Sequence, residues 1–449
     1  MLIAAISTAP GAGAVSIIRL SGPGALAALR RVFRPAGGAG WEPRLMRFGR
    51  IVEPDEGRLL DEGLAVWFPG PKSFTGEDCA EIQGHGGPAV TAQVLAAVLR
   101  AGARLAEPGE FTRRAFLNGR LDLAQAEAVA DLVAARGAAE TALAARQLAG
   151  GLSGRVAEIH QALFAALVEL SADIDFSDDL EPLNLAALKD RLEGEALAPL
   201  EALLADGRAG RPFREGLRLA LAGAPNVGKS SLFNALAGTD RALVSPAPGT
   251  TRDYITTEAV WDGLAVELCD TAGLSGEPVD ELDALGQNRS RSRLQEADLV
   301  LWVRDSDRGP AADADFDPSL LPAGRAIVVW NKIDLAPPPA PADPRDAVCP
   351  VSVKSGAGLT GLKAAILKMA TGRDEPAVPE VVPNLRHQVA LGRARDFVLA
   401  SLAAIDQGLP PDICVFEIRS AVDSLEAISG RVEPEDVLRE IFSRFCLGK

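Results

Sequence analysis

The chain has 449 residues, enough for two to four domains, and 47% hydrophobic residues supply real cores. A formal charge of -15 argues against a protein that coats nucleic acid or an anionic membrane through a general basic surface. Five scattered cysteines without metal-ligand spacing, no basic stretch ahead of the apolar N-terminus and no run of eighteen apolar residues together predict a cytoplasmic chain that does not enter a membrane.

Residues 1–118 mix short strand-like runs, VSIIRL and GLAVWF, with turns such as SGPG and FPGP, and predict a small α+β domain. GAGAVS at 11–16 lacks the third glycine of a dinucleotide fingerprint, and no βαβ unit follows it. His85 in QGHGG reads as a turn histidine or a catalytic one. From Leu121 to residue 210 the text is Ala-rich and apolar at helical spacing. At Gly216 it changes to LRLALAG, LAVELCD, ADLVLWV and AIVVWNKID, short apolar runs separated by helix-length segments, the pattern of a parallel sheet. APPPAPADPRD at 336–346 reads as a surface loop, and DEPAVPEVVPN at 374–384 as a Pro-rich linker. Helical text resumes at Leu385, and EPEDVLREIFSRF puts Val437, Leu438, Ile441, Phe442 and Phe445 on one face. The expected fold class is α+β and multidomain. An N-terminal α+β domain (1–118) precedes a long-helix bundle in two parts (119–213 and 374–449), with a P-loop α/β domain (214–373) inserted between them. The closing FCLGK is a poor prenylation box, since Gly448 is not aliphatic, Lys449 is an unsuitable final residue and no polybasic stretch precedes it.

The strongest motif is LRLALAGAPNVGKSSLFNAL, in which Gly223 and Gly228-Lys229-Ser230 complete G-x-x-x-x-G-K-S between a strand and a helix. Glycines let the backbone curl so that successive N–H groups point inward at phosphate, and the helix N-terminus adds partial positive charge. The expected cradle runs through Asn226, Val227, Gly228, Lys229, Ser230 and Ser231, with Lys229 for the β- and γ-phosphates and the Ser230 hydroxyl for Mg2+. PGTTRD offers Thr251 as a second hydroxyl for Mg2+. CDTAG offers Asp270 for the same ion and the Gly273 amide for the γ-phosphate. NKID supplies Asp334, whose carboxylate can accept both N–H donors of a guanine edge, with Asn331 on the far side of the base and Lys332 along it. Adenine would leave that carboxylate unmatched, which disfavours ATP by about 10⁴. VSVKSGAGL adds Ser352 and Lys354 in a loop over the base. Each motif alone is weak; in this order they specify a guanine-nucleotide domain.

Residues 216–373 resemble a translation-factor-related GTPase domain, and the whole chain resembles the MnmE (TrmE) family of tRNA-modification GTPases. Beyond the nucleotide motifs, GAVSIIRLSG, FPGPKSFTGEDCAEIQGHGGP, EPGEFTRRAFLNGRLDLAQAEAVADL and the final FCLGK carry this resemblance. It implies a homodimer whose G domains meet across GTP. It also implies a K+ ion lined by Asn226, Ser245, Ala247 and Thr250, which would place positive charge where other GTPases use an arginine finger. Leu274 stands where Ras-like enzymes carry a water-orienting glutamine. The family's downstream glutamate falls in GEPVDELDALG on Asp283 by counting, with Glu281 nearby, and the two stay open as the catalytic carboxylate. RSRSR at 289–293 reads as an arginine-finger candidate or a solvated helix face.

The resemblance further implies that the N-terminal domain binds a folate and dimerises. Carried onto this sequence, contacts to 5-formyl- or methylene-tetrahydrofolate fall on Arg19, Glu81, Arg120 and Lys449. A carboxylate suits a pterin edge and cations suit a glutamate tail. Cys446 would lie near the chemistry, or be an inert packed thiol. The expected activity is installation of a carboxymethylaminomethyl or aminomethyl group on position 5 of the wobble uridine of tRNA. An FAD-dependent subunit of the MnmG (GidA) family would join it in a heterotetramer or larger complex. The alternatives are a ribosome-assembly GTPase without modification chemistry and a one-carbon-transfer enzyme whose GTPase only regulates it.

Overall fold

A computed structural model describes residues 1–38, 40–176, 183–238, 256–261, 263–270, 292–308, 316–339, 348–372, 378–430, 435–443, 445–446 and 448. The chain forms two compact units, one of Met1–Val133, Gln147–Leu183 and Ala403–Lys449, the other of Ala134–Arg146 and Asn184–Leu402.

The first unit begins with strands β1 (Ile3–Ile6), β2 (Val15–Ser21), β3 (Phe33–Pro35), β4 (Arg47–Val52), β5 (Leu59–Phe68), β6 (Cys79–His85) and β7 (Arg104–Leu105). Their order in the sheet is β3-β4-β5-β6-β2-β1-β7, antiparallel except for the β1–β7 edge. Strand residues alternate between faces. Ile18 and Leu20 of β2 and Ile82 of β6 are buried against helices α1 (Ala25–Val32) and α2 (Pro88–Arg100). Arg19 and Glu81, one residue out of step, stand directly opposite each other on the other face.

Helix α3 (Glu110–Leu117) leads into α4 (Leu123–Ala134), α5 (Ala138–Leu148) and α6 (Gly151–Asp175). α6 buries Leu152, Val156, Ile159, Leu163, Leu167 and Leu170, spaced three and four apart so that one stripe faces inward. α4 has its own capping box: Asp122 Oδ1 accepts from Gln125 N at 2.8 Å and Gln125 Oε1 accepts from Asp122 N at 3.0 Å.

In the second unit, α7 (Leu185–Arg191) and α8 (Ala198–Glu215) are joined by a π turn, Leu192–Leu197, and precede the other sheet. Its strands are β8 (Leu217–Ala222), β9 (Thr256–Trp261), β10 (Leu264–Asp270), β11 (Leu299–Asp305), β12 (Ala326–Asn331) and β13 (Val348–Pro350), in the order β13-β12-β11-β8-β10-β9. All neighbours are parallel except β9, which runs antiparallel beside β10. The apolar runs predicted as a parallel sheet are β8, β10, β11 and β12. The edge strand β9 is an addition: TTEAVW opens on three polar residues, and Ala259 and Trp261, two apart, turn to the core. Helix α9 (Lys229–Ala237) follows β8, and α10 (Leu359–Thr371) follows β13. Of the Pro-rich stretch predicted as a linker, residues 378–384 are described, and they include packed positions. Val382 is buried and fits against α8 at Gly210, where a Cβ would overlap it.

Helix α11 (Leu385–Asp406) carries the chain out of the second unit. Helices α12 (Pro411–Ser429) and α13 (Glu435–Ser443) belong to the first, and α12 packs along α6. Leu438, Phe442 and Phe445 are buried with Leu123 and Val129 of α4, while Val437 and Ile441 of the expected apolar face are only partly covered.

Glu110 ties several of these parts of the first unit together. Arg104 donates to its carboxylate through Nη1 at 2.8 Å and Nη2 at 2.6 Å, Arg114 Nη2 at 2.9 Å and the Glu107 amide at 2.9 Å. Arg114 continues to Glu77 and to the Met1 and Ser21 carbonyls. Burial alone would raise the Glu110 carboxyl, but the bonds from Arg104, Glu107 N–H and Arg114 lower it from 4.5 to about 2. A depressed carboxyl stabilises the fold fully above its ordinary value, and that stability disappears as pH falls from about 4.5 toward 2. Glu110→Gln should therefore cost about 3 kcal/mol at neutral pH. Urea unfolding should also show a smaller loss of stability between pH 4.5 and 2 than in the parent; an unchanged acid limb would refute this role.

Candidate functional site

β8 is buried along nearly its whole length, so the chain leaves the sheet at Ala222 at a fixed point. The next turn depends on unusual backbone. Gly223 has φ 139 and a Cβ there would overlap the Val303 carbonyl; Asn226 has φ 63 and Gly228 φ 98. Lys229, the first residue of α9, turns back to donate through Nζ to the Gly223 and Ala224 carbonyls, each at 2.8 Å. Burial lowers its pKa, with the Asp270 charge opposing that shift. Ser230 Oγ donates to Asp270 Oδ2 at 3.2 Å, while Asp270 Oδ1 is buried with no hydrogen-bond partner among the described residues. A hydroxyl and a carboxylate with a spare buried oxygen form a hard donor set, which fits Mg2+. Ser231 is exposed in the first turn of α9.

The base-binding loop meets this turn from the other side. Asn331 ends β12 and is buried. Its Nδ2 donates to the Val227 carbonyl at 3.0 Å, and its Oδ1 accepts from Lys332 N at 2.8 Å and Val353 N at 3.4 Å. A Cβ at Gly228 would overlap Asn331 Nδ2, so glycine there is a condition of this contact. Lys332 has φ 67, and its Nζ donates to Asn226 O at 3.0 Å and Asp305 Oδ2 at 2.6 Å. Ser352, buried, donates from Oγ to Asp334 Oδ1 at 2.6 Å and accepts from Ser355 N at 3.2 Å. That hydroxyl, with help from Lys354, holds the exposed Asp334 carboxyl below its ordinary value, so it is ionised and can accept N–H donors.

Asn226, Val227, Gly228, Lys229, Ser230, Asp270, Asn331, Lys332, Asp334, Ser352 and Lys354 thus lie at or just beyond the carboxyl ends of the parallel strands, where α/β sheets bind ligands. Ser245, Ala247, Thr250, Thr251, Gly273, Glu281, Asp283 and Lys449 lie outside the described residues, as does most of RSRSR. Asp305 belongs to this cluster although it lies outside the sequence motifs. It ends β11 in register with Asn331. Burial would raise its carboxyl, but Lys332 and the Asp307 amide bond to it and lower it. The signal was present in the sequence: LVLWVRD closes an apolar strand on a carboxylate.

In the first unit, Arg19 and Glu81 are bonded to each other, Nε to Oε1 at 2.9 Å, and the guanidinium lies 5.2 Å from the centre of the Phe74 ring. Arg120 Nε donates to the carbonyl of Ser73, next to Phe74, at 3.3 Å. Three of the four residues assigned to folate therefore gather around Ser73–Phe74. The tail returns to β1: Ser7 Oγ donates to Gly448 O at 3.3 Å, and a Cβ at Gly448 (φ 91) would overlap the Ile6 carbonyl. Cys446 is exposed, whereas Cys79, Cys269, Cys349 and Cys414 are buried, so Cys446 is not a packed thiol. His85 is exposed at the end of β6, its Nδ1 2.7 Å from Asp61 Oδ1. GAGAVS lines a cavity of about 400 Å³ beside Ile6 and Thr91. No helix among the described residues is long and apolar enough to cross a membrane.

Known proteins resemble this chain over its whole length. A family model described as MnmE helical domain matches residues 123–446, and one described as GTP-binding protein TrmE N-terminus matches residues 2–120. The tRNA modification GTPase MnmE of Roseiflexus sp. (strain RS-1) is 43% identical over 100% of this chain and 99% of its own. That of Moorella thermoacetica is 42% identical over 100% of this chain and 99% of its own. The solved G domain of the T. maritima FeoB iron transporter is 31% identical and covers 34% of this chain and 98% of its own, at a TM-score of 0.27 too low to bear on the fold.

If Asp305 anchors Lys332, Asp305→Asn should weaken GTP and GDP binding alike, by about tenfold or 1.4 kcal/mol. Titration with a fluorescent guanine nucleotide measures this, and unchanged affinity for both would remove Asp305 from the site.

Proposed function

The chain belongs to the MnmE family of tRNA modification GTPases, and on that premise we propose that it couples GTP hydrolysis to modification of the wobble uridine of tRNA. The observation that carries the nucleotide half is the Asn331–Val227 bond, which closes a phosphate loop onto a guanine-reading loop. Lys229 meets the β- and γ-phosphates, and Asp334 accepts the two N–H donors of guanine. Ser230 and Asp270, with Thr251, hold Mg2+, which offsets charge between the phosphates. Asn226, Ser245, Ala247 and Thr250 line a K+ site, and Asp283 or Glu281 orients the attacking water when two copies pair through their G domains. Residues 214–373 form that GTPase domain.

The modification half rests on Arg19, Glu81 and Arg120 around Ser73–Phe74, with Lys449 from the tail. These groups suit the pterin edge and carboxylates of 5-formyl- or methylene-tetrahydrofolate, the source of the one-carbon unit. The product is a carboxymethylaminomethyl or aminomethyl group at position 5. The flavin chemistry belongs to an FAD-dependent partner of the MnmG (GidA) family in the cytoplasm, in a heterotetramer or larger assembly. Residues 1–118 serve folate binding and dimerisation, and 119–213 with 374–449 form the helical domain.

In cells lacking this protein, the full chain should restore wobble-uridine modification, read by mass spectrometry of total tRNA. A chain ending at Phe445 should not, while hydrolysing GTP at the parent rate. Equal restoration would remove Cys446 and Lys449 from the site; restoration by neither would overturn the tRNA reading. In vitro, replacing K+ by Na+ should slow hydrolysis at least tenfold, and equal rates would dismiss the ion site.

A further inference from the structure

The formal charge of -15 is unevenly distributed. Residues 1–118 carry 13 Lys and Arg against 11 Asp and Glu, a net of +2, which leaves -17 on the rest of the chain. Within them, residues 30–50 hold six arginines and one acid, Glu42. This stretch runs from the end of α1 through β3 to β4, at the edge of the first sheet.

Two of the six arginines are matched by carboxylates, Arg31 by Asp55 and Arg50 by Glu62. Arg30, Arg34, Arg44 and Arg47 form no ion pair among the described residues. Three of these four are held by carbonyl oxygens instead. Arg34 donates to the Arg30 and Arg31 carbonyls, Arg44 Nη2 to Lys72 O at 2.9 Å and Arg47 Nη1 to Gly40 O at 2.6 Å. A carbonyl orients a guanidinium without cancelling its charge, and leaves most of its N–H donors open. Arg34 also stands directly opposite Arg50 across β3 and β4, a like-charge pairing that costs a sheet stability. Glu53 and Asp55 of the following turn are engaged by Arg58, Arg100 and Arg31. Beside the unmatched cations, Leu45, Met46 and Phe48 are exposed, Phe48 by 56%.

We propose that this basic rim binds the single-stranded anticodon loop of the tRNA substrate, with phosphates on Arg30, Arg34, Arg44 and Arg47 and an unstacked base on Phe48. Guanidinium forks match phosphate oxygens, and contacts of this kind position a nucleic acid without reading its sequence. A single-stranded loop also offers base faces to an aromatic ring, which a duplex keeps stacked. An acidic protein face would use the cations and leave Phe48 without a role. The strand registers give the rim a direction. Phe48 pairs with Leu64, Leu64 with Gln83 and Gln83 with Ile17, two residues from Arg19. Phe48 therefore shares the sheet face of Arg19 and Glu81, three strand spacings or about 14 Å away. A loop laid across the sheet from the rim carries its bases toward the candidate one-carbon site. This inference rests on the tRNA reading above.

The test measures anisotropy of the full chain with two fluorescent RNAs, an anticodon stem-loop and a blunt duplex of equal length, over a series of salt concentrations. The parent should bind the stem-loop about tenfold more tightly than the duplex. Arg34→Gln with Arg47→Gln should weaken both about tenfold and make log affinity less steep in log salt by about two. Lysine at both positions should keep the parent slope. Arg30→Gln with Arg44→Gln carries the test if the first pair fails to fold. Phe48→Ala should erase the preference for the stem-loop and leave the slope unchanged. The glutamine variants should hydrolyse GTP at the parent rate yet fail to restore wobble-uridine modification in cells lacking the protein. Parent affinity and slope in both glutamine pairs would overturn the rim and leave the tRNA reading standing, provided that the parent restores modification. So would parent-like RNA binding with loss of self-association or of the flavin partner in sedimentation, which would make the rim a protein contact. A parent that neither binds the stem-loop nor restores modification overturns both.

Discussion

The hydrogen bond from the Asn331 side chain to the Val227 carbonyl is the contact on which the nucleotide site depends. It joins two loops that leave different strands of the sheet. The same amide oxygen accepts from Lys332 and Val353, so one buried side chain sets the phosphate loop, the guanine loop and the loop that carries Ser352. The contact forms only because Gly228 has no Cβ and its backbone adopts φ 98. Lys332 and Asn226 sit at positive φ on either side of a second bond between the same loops. Strain of this kind persists where surrounding contacts over-determine it, and here the contacts are the site itself.

The first unit solves a different problem with simpler means. Strand alternation delivers Arg19 and Glu81 to the same face and to the same cross-strand pair, while their neighbours fill the core. The helices that cover Phe116 and Leu123 then bring three distant segments around one polar-tipped cavity.

Much of the nucleotide site was legible in the sequence because its parts are local. A glycine loop after a buried strand, a carboxylate at a strand end and NKID each specify their own backbone, and buried parallel strands read as unbroken apolar runs. For Asp305 the sequence shows a carboxylate at a strand end, but not its role, which comes from register with Asn331 across β11 and β12. β9 does not read as a strand because TTEAVW opens on three polar residues and lacks the long apolar run of its neighbours. The cavity is built from segments around residues 120, 156 and 426, a separation that periodicity cannot bridge. Arg19 and Glu81 stand out in the sequence only by resemblance, each as a folate contact, and their pairing with each other comes only from the β2–β6 register. The expected exposure or burial of Cys446 was undecidable from five residues of tail.

The most direct test of the nucleotide site is calorimetric titration of the Asp334→Asn chain with GTP and with xanthosine triphosphate. Guanine offers two donors to a carboxylate; xanthine replaces one donor by a carbonyl, which an amide can match. The parent should prefer GTP, and the variant should lose GTP affinity by about a hundredfold while gaining it for the xanthine nucleotide. Unchanged GTP preference in the variant would mean that Asp334 does not read the base, and the assembly built on Asn331 would then be something other than a guanine site.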